Sequence, residues 1–283
     1  MIVIARLTVQ ELVRRRVVWV LAILTLVSVG LVGLGLDRLV ALSREGGAGE
    51  LEVRIGVSQI LILIAFMFSF VLAMTAAFVG APAVGGDLES GVAYALLARP
   101  LRRADILLGR WLGSALVVVA YAVASGLLAI AVAALVSGYG PPDPALAVAF
   151  LAGQALVLLT LTLALGSVLP SIAAGAIAVV GFGLGWMAGV LAGVASALGV
   201  TALGSVAEVS RVVFPSDGLW RGVIYGLEPP FIVLIAARRA AGLVDANPFY
   251  AATPPPLGFV LWSVVWIAIV LGAATWWFER RDL

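Results

Sequence analysis

Six stretches of this chain carry no charged residue and are each about as long as a bilayer's hydrocarbon is thick: Val17–Leu36, Gly56–Ala81, Trp111–Ser137, Ala145–Leu169, Ser171–Val200 and Leu257–Phe278. At 1.5 Å per residue, about 20 helical residues cross a membrane, and the longer runs cross with tilt. In hydrocarbon every backbone N–H and C=O must find its partner inside the segment, so each run reads as an α-helix. The expected fold class is all-α: a polytopic membrane protein of six transmembrane helices. Composition agrees, with 63% hydrophobic and 11% charged residues, where a soluble domain carries about a quarter charged.

The same composition excludes several chemistries. Cys and His are absent, which removes disulfides, thiolate nucleophiles, Cys/His metal sites and imidazole catalysis. All 17 basic residues are Arg, so there is no P-loop lysine and any ATP-driven work must be powered by another polypeptide. A formal charge of +2 with no long basic block gives nothing to track a nucleic-acid backbone. No Asp, Glu or Arg lies within the six runs, which argues against ion- or proton-coupled transport and leaves no aspartyl or Ser/His dyad for intramembrane hydrolysis.

Residues 1–283 read as a single transmembrane domain. Gly138–Pro144 is a tight turn, and Pro170-Ser171 joins the fourth and fifth spans so briefly that they form an antiparallel hairpin. Residues 1–16 place Arg6, Gln10 and Arg14 on one helical face and Val9, Leu12 and Val13 on another, the pattern of an interfacial amphipathic helix. The apolar run after Arg14–Arg16 is long enough to span, so it reads as a retained first span rather than a signal peptide.

Six spans put both termini on one side. That side collects ten arginines against seven, with Arg14–Arg16 and Arg280–Arg281 closest to the membrane, and is expected to be cytoplasmic. The opposite loop, 201–256, is too long for a bare connector. Phe231–Ala240 is too short to span and reads as a re-entrant or surface-lying helix, while Pro215–Pro230, with Trp220 and Tyr225, reads as chain at the headgroup level.

The one long charged loop on the terminal side is 82–110. Asp87 and Glu89 are expected to begin a short helix near its positive end, and Pro100 to end it. Within GDLESGVAYALLARPLRRADILLGRWLG, the residues Glu89, Gly91, Leu96, Leu97, Arg99, Pro100, Arg103, Leu108, Gly109 and Arg110 follow an order and spacing that resembles the first large cytoplasmic loop of ABC-2-type exporter permeases. Two positions depart from that pattern: Val92 stands where the family commonly has Thr, and Arg110 where it commonly has Lys.

The resemblance implies the transmembrane subunit of an ATP-binding cassette exporter in the cytoplasmic membrane. It also implies an N-terminal helix along the membrane, a separate ABC ATPase that carries the ATP and Mg, a second permease copy, and spans two and five near the dimer axis. Asp87, Glu89, Gly91, Arg99, Pro100, Arg103, Gly109 and Arg110 would then form the ATPase-coupling loop, with Glu89, Arg99, Arg103 and Arg110 transmitting force. The plainer alternative is a solvated loop. This chain itself is expected to bind no cofactor or metal, and to contact membrane lipids but no nucleic acid.

In the fifth span Gly181, Gly185, Gly189 and Gly193 recur every four residues, a bared helix face against which another backbone packs closely, either a neighbouring span or a second copy. Gln59, Gln154, Thr160 and Thr162 are the sizeable polar residues within the spans. They line a path or bond across helices, and the second reading is favoured. A function of another class remains: a non-transporting scaffold or assembly factor that uses the same loop to recruit a soluble protein. Substrate-stimulated ATPase activity separates the two.

Overall fold

A computed structural model describes residues 1–89, 102–230, 247–251 and 253–280. Among the described residues the regular elements are all helices: α1 (Ile2–Arg14), α2 (Arg16–Glu45), α3 (Glu50–Glu89), α4 (Arg103–Ser137), α5 (Pro144–Gly166), α6 (Ser171–Leu198), α7 (Thr201–Val213), α8 (Ser216–Leu227) and α9 (Leu257–Arg280). Six of them, α2 to α6 and α9, are long and apolar enough to cross a membrane. The chain is a polytopic all-α membrane protein.

Local chemistry sets the ends of these helices. Gly138, with φ 71°, takes the left-handed conformation that closes α4, its N–H reaching the Ala134 carbonyl. Asp143 caps α5 by accepting from the Leu146 N–H at 2.9 Å, and Pro144 sits at the first helical position, where no N–H is needed. Arg15 is extended (φ −69°, ψ 130°), so the chain turns an elbow between α1 and α2.

α5 is the hub. It packs on α3, α4, α6, α8 and α9, and 67% of its most apolar window is buried within the chain against 17% for α2. A main core runs between α3, α4, α5 and α8, and a smaller one, with Leu107, Leu163 and Phe278, lies near the terminal face. α3 crosses α5 with backbones nearly touching: a Cβ at Gly85 would stand 2.9 Å from the Gly166 carbonyl.

The sequence expectation for Asp87 and Glu89 is corrected here. α3 continues through Pro82 to Glu89, so the two acids lie in its last turn rather than beginning a new helix. An acid at a helix's negative end is unfavourable by itself. Glu89 is offset by a neighbour, described below.

Between α6 and α9 the chain folds back into the bundle. α7 packs along α6, and the junction between α7 and α8 returns to the middle of it: Cβ atoms at Gly185 would meet Phe214 and Ser216 at 3.1 Å. α8 then climbs antiparallel to α5, with Leu219 near Gly153, Gly222 against Phe150, and Gly226 beside Ala147 and Asp143. α7 and α8 thus form a re-entrant hairpin. Segment 215–230, read from the sequence as chain at the headgroup level, packs along the first half of α5, with Trp220 1% exposed and most of α8 buried within the chain. The helix expected at Phe231–Ala240 lies outside the described residues.

Candidate functional site

Two regions gather the residues that carry chemistry, one at the terminal face and one where the hairpin meets α6. At the terminal face the start of α4 is held from two directions. Arg103 donates from Nη1 to the Glu279 carbonyl at 3.2 Å, placing a cation at the negative end of α9. One turn pair later, Arg110 donates from Nη1 to Glu11 Oε2 at 2.6 Å, and Arg15 binds the other carboxylate oxygen at 2.5 Å. Burial alone would raise the Glu11 pKa, but the hydrogen bonds from Arg15 and Arg110 prevail and hold it below the ordinary carboxylate value.

α1 docks on this part of α4 because two glycines let it. A Cβ at Gly109 would lie 2.7 Å from Ile4 Cβ, and one at Gly113 would lie 2.5 Å from the Ala5 carbonyl. The amphipathic helix read from the sequence therefore has a seat. Its spacing, glycines four apart, is a signal that was present in the sequence but was read as part of the loop pattern.

The third tie is Glu89. Its Oε1 accepts from the Ser171 backbone N–H at 2.7 Å, so the carboxylate that ends α3 caps the start of α6. Asp87 lies in the same last turn of α3. Gly91, Arg99 and Pro100 lie outside the described residues. Glu89, Arg103, Gly109 and Arg110 all make contacts within the chain, and together they join the ends of α3, α6, α4, α9 and α1 at one corner.

Where the hairpin meets α6, the glycine face has a definite occupant. A Cβ at Gly189 would overlap the carboxylate of Asp217, and Gly185 faces Phe214 and Ser216, whereas Gly181 and the off-stripe Gly183 have open space. Gly193 is buried farther along. At Gly185 and Gly189 the bared face is filled by this chain's own hairpin.

Asp217 is 5% exposed and pairs with Arg211 at 2.8 Å and Arg221 at 3.7 Å, and Arg221 also reaches the Gly189 carbonyl at 3.5 Å. The spans carry no charge, yet the hairpin brings three charged groups to the level of their middle. Pairing and the first-turn position of Asp217 on α8 make this tolerable. The last carbonyls of α7 are satisfied from α9: Trp262 donates to Val212 at 3.0 Å and Trp266 to Val213 at 2.8 Å. Sequence reasoning missed Arg211, Asp217, Arg221, Trp262 and Trp266; the two tryptophans four apart were the visible signal.

Two of the four polar residues of the spans, Gln154 and Thr160, bond between helices. Gln154 accepts from Ser69 at 2.6 Å and donates to the Ser216 carbonyl at 3.2 Å, pinning the hairpin to α3 and α5. Thr160 accepts from Trp111 Nε1 at 2.9 Å, and Thr162 bonds back to Leu158. Gln59 is half-buried. Nearby, Phe66, Trp186, Trp220 and Phe249 form a ring cluster with centroids 5.1 to 6.5 Å apart, joining α3, α6 and α8 to the segment 247–251.

On the terminal half, α3 and α6 leave an apolar groove of about 510 Å³ between Met74, Phe78 and Pro82 on one wall and Ile172, Gly175 and Val179 on the other. Beside it Ile172 and Val180 stand 89% and 60% exposed.

The family described as "ABC-2 family transporter protein" matches residues 2–283, nearly the whole chain. This chain belongs to the ABC-2 transporter family. It is a transmembrane permease component of an ABC transporter. No curated protein matches it. For this ABC-2 permease, the family relation accords with a multi-pass membrane protein whose ATPase is a separate partner.

Proposed function

We propose that this permease exports its cargo across the cytoplasmic membrane, as one of two permease copies, with both termini and the 86–110 segment on the cytoplasmic side. ATP and Mg are bound and turned over by the ABC ATPase, which seats on that segment. The observation that carries this reading is the corner where Glu89, Arg103 and Arg110 tie the ends of five helices. A push on the connection between α3 and α4 is delivered at once to α6 through Glu89, to α9 through Arg103 and to α1 through Arg110. A solvated loop has no need of such ties.

The groove between α3 and α6, with the exposed apolar side chains beside it, supports a cargo path walled by these two spans and completed by a second copy. The ring cluster and hairpin close its far end. Asp87, Gly91, Arg99, Pro100 and Gly109 belong to the coupling segment in this reading, and Gln59 to the path near its far end.

Arg99→Glu tests the seat without touching the observed ties. The variant should insert and fold normally, yet lose substrate-stimulated ATP hydrolysis in the complex with the ATPase. A variant complex that assembles and hydrolyses ATP like the wild type would remove the 86–110 segment from the coupling path.

A further inference from the structure

Away from the corner and the hairpin, a cleft of about 460 Å³ opens between α2 and α3 on the terminal half of the bundle. It exists because α2 leans on α4 and barely touches α3. Leu21 and Leu24 of α2 face Met74 and Phe78 of α3 across it, with Val117 of α4 at its base. Tyr121, also at the base, is hydrogen-bonded to Thr25 at 2.6 Å, so both hydroxyls are already satisfied. An apolar cavity with no polar partner to offer does not hold water, and its natural filling is hydrocarbon.

The mouth of the cleft has the opposite character. Arg15 lines it, at the elbow between α1 and α2, and is flanked by exposed Arg14 and Arg16. Among the described residues the carboxylate paired at the elbow, Glu11, is shared between Arg15 and Arg110, so positive charge is left in excess. A hydrocarbon slot under a cationic rim at the end of a span matches an amphiphile with an acidic head. We propose that this cleft binds an anionic phospholipid of the leaflet on the terminal side, one acyl chain lying between α2 and α3 and the phosphate at Arg14–Arg16. The bound lipid would fill the gap that keeps α2 off α3, next to the Glu11–Arg110 tie that seats α1.

The test is retention of lipid by the full chain in detergent, read by native mass spectrometry after exposure to an equimolar mixture of phosphatidylglycerol and phosphatidylcholine. The wild type should retain phosphatidylglycerol in preference. Arg15→Gln and Arg16→Gln should each weaken that preference about fivefold, the equivalent of about 1 kcal/mol per juxtamembrane cation. Met74→Trp and Val117→Phe, which fill the cleft, should lose the bound lipid while keeping wild-type helix content. Phosphatidylglycerol carrying a photoreactive acyl chain should crosslink to the peptides containing Met74 or Val117, a readout that needs no variant. Equal retention of the two lipids, untouched by the arginine changes, would mean ordinary annular contact and would overturn the proposal. So would undiminished phosphatidylglycerol in both filled variants, or acyl-chain crosslinks only elsewhere.

Discussion

Gly189→Ala is the sharpest perturbation this structure offers. The added methyl would fall within the space of the Asp217 carboxylate, which is 5% exposed and held by Arg211 at 2.8 Å. Forcing one carbon into a filled site costs about 1–3 kcal/mol. If the displaced carboxylate also loses Arg211, breaking a buried pair adds about 3–5 kcal/mol. Replacing glycine by alanine within a helix returns about 1 kcal/mol. The net loss is about 0–2 kcal/mol if the Asp217–Arg211 pair survives and about 3–7 kcal/mol if it breaks, and in the second case a chain of this size melts at least about 6 °C lower.

Gly181 and Gly183 have nothing within reach of a Cβ, so alanine there keeps the helical gain and should leave the melt unchanged or raised. Scanning fluorimetry of the purified chain in one detergent compares the three variants directly. A Gly189→Ala protein that melts with or above Gly183→Ala would refute the placement of the hairpin against α6. Adding Asp217→Asn to Gly189→Ala should give less than the sum of the two losses, since both act on one contact.

Glu89→Ala should remove the cap on α6 at a cost of about 0.5–2 kcal/mol, with faster hydrogen exchange at the Ser171 amide. Glu228 is 2% exposed; burial pushes its pKa up to about 7, against the opposing effect of its bond from the Ala251 N–H. The folded state therefore holds the proton more tightly than the unfolded one, so stability should fall as pH rises from about 4.5 to about 7 and then level off, a trend that Glu228→Gln should flatten in melts taken across that range. In the proposed orientation, cysteines replacing Ser43 or Asp143 in this Cys-free chain should react with an impermeant thiol reagent on intact cells, and one replacing Ser90 should not. A cysteine at Ser216, which is 1% exposed, should react only after unfolding; labelling in the native state would place the hairpin at the surface.

The sequence by itself determined the spans. A charge inside hydrocarbon is so costly that charge-free runs of about 20 residues mark helices whatever surrounds them, and α2 to α6 and α9 lie where those runs are. The loop that points to the family was legible too, whereas the face by which α1 docks, Ala5, Thr8 and Leu12, shares only Leu12 with the apolar face read from the sequence. What only the tertiary structure decided is where charged and small residues find partners. Asp87 and Glu89 looked like a helix start because acids favour that end and Pro100 stands downstream as a stop; α3 instead runs through Pro82 to Glu89, and the partner of Glu89 is 82 positions away at Ser171. Pro215–Pro230 read as chain at the headgroup level because turn residues there are mixed with Trp220 and Tyr225. α8 lies inside because Arg211 and Arg221 neutralise Asp217, two α9 tryptophans satisfy the broken end of α7, and Gly185 and Gly189 leave the room. Glycines four apart announce that something packs closely on a helix face. Which segment it is depends on contacts far apart in the chain, and periodicity along one helix carries no information about those.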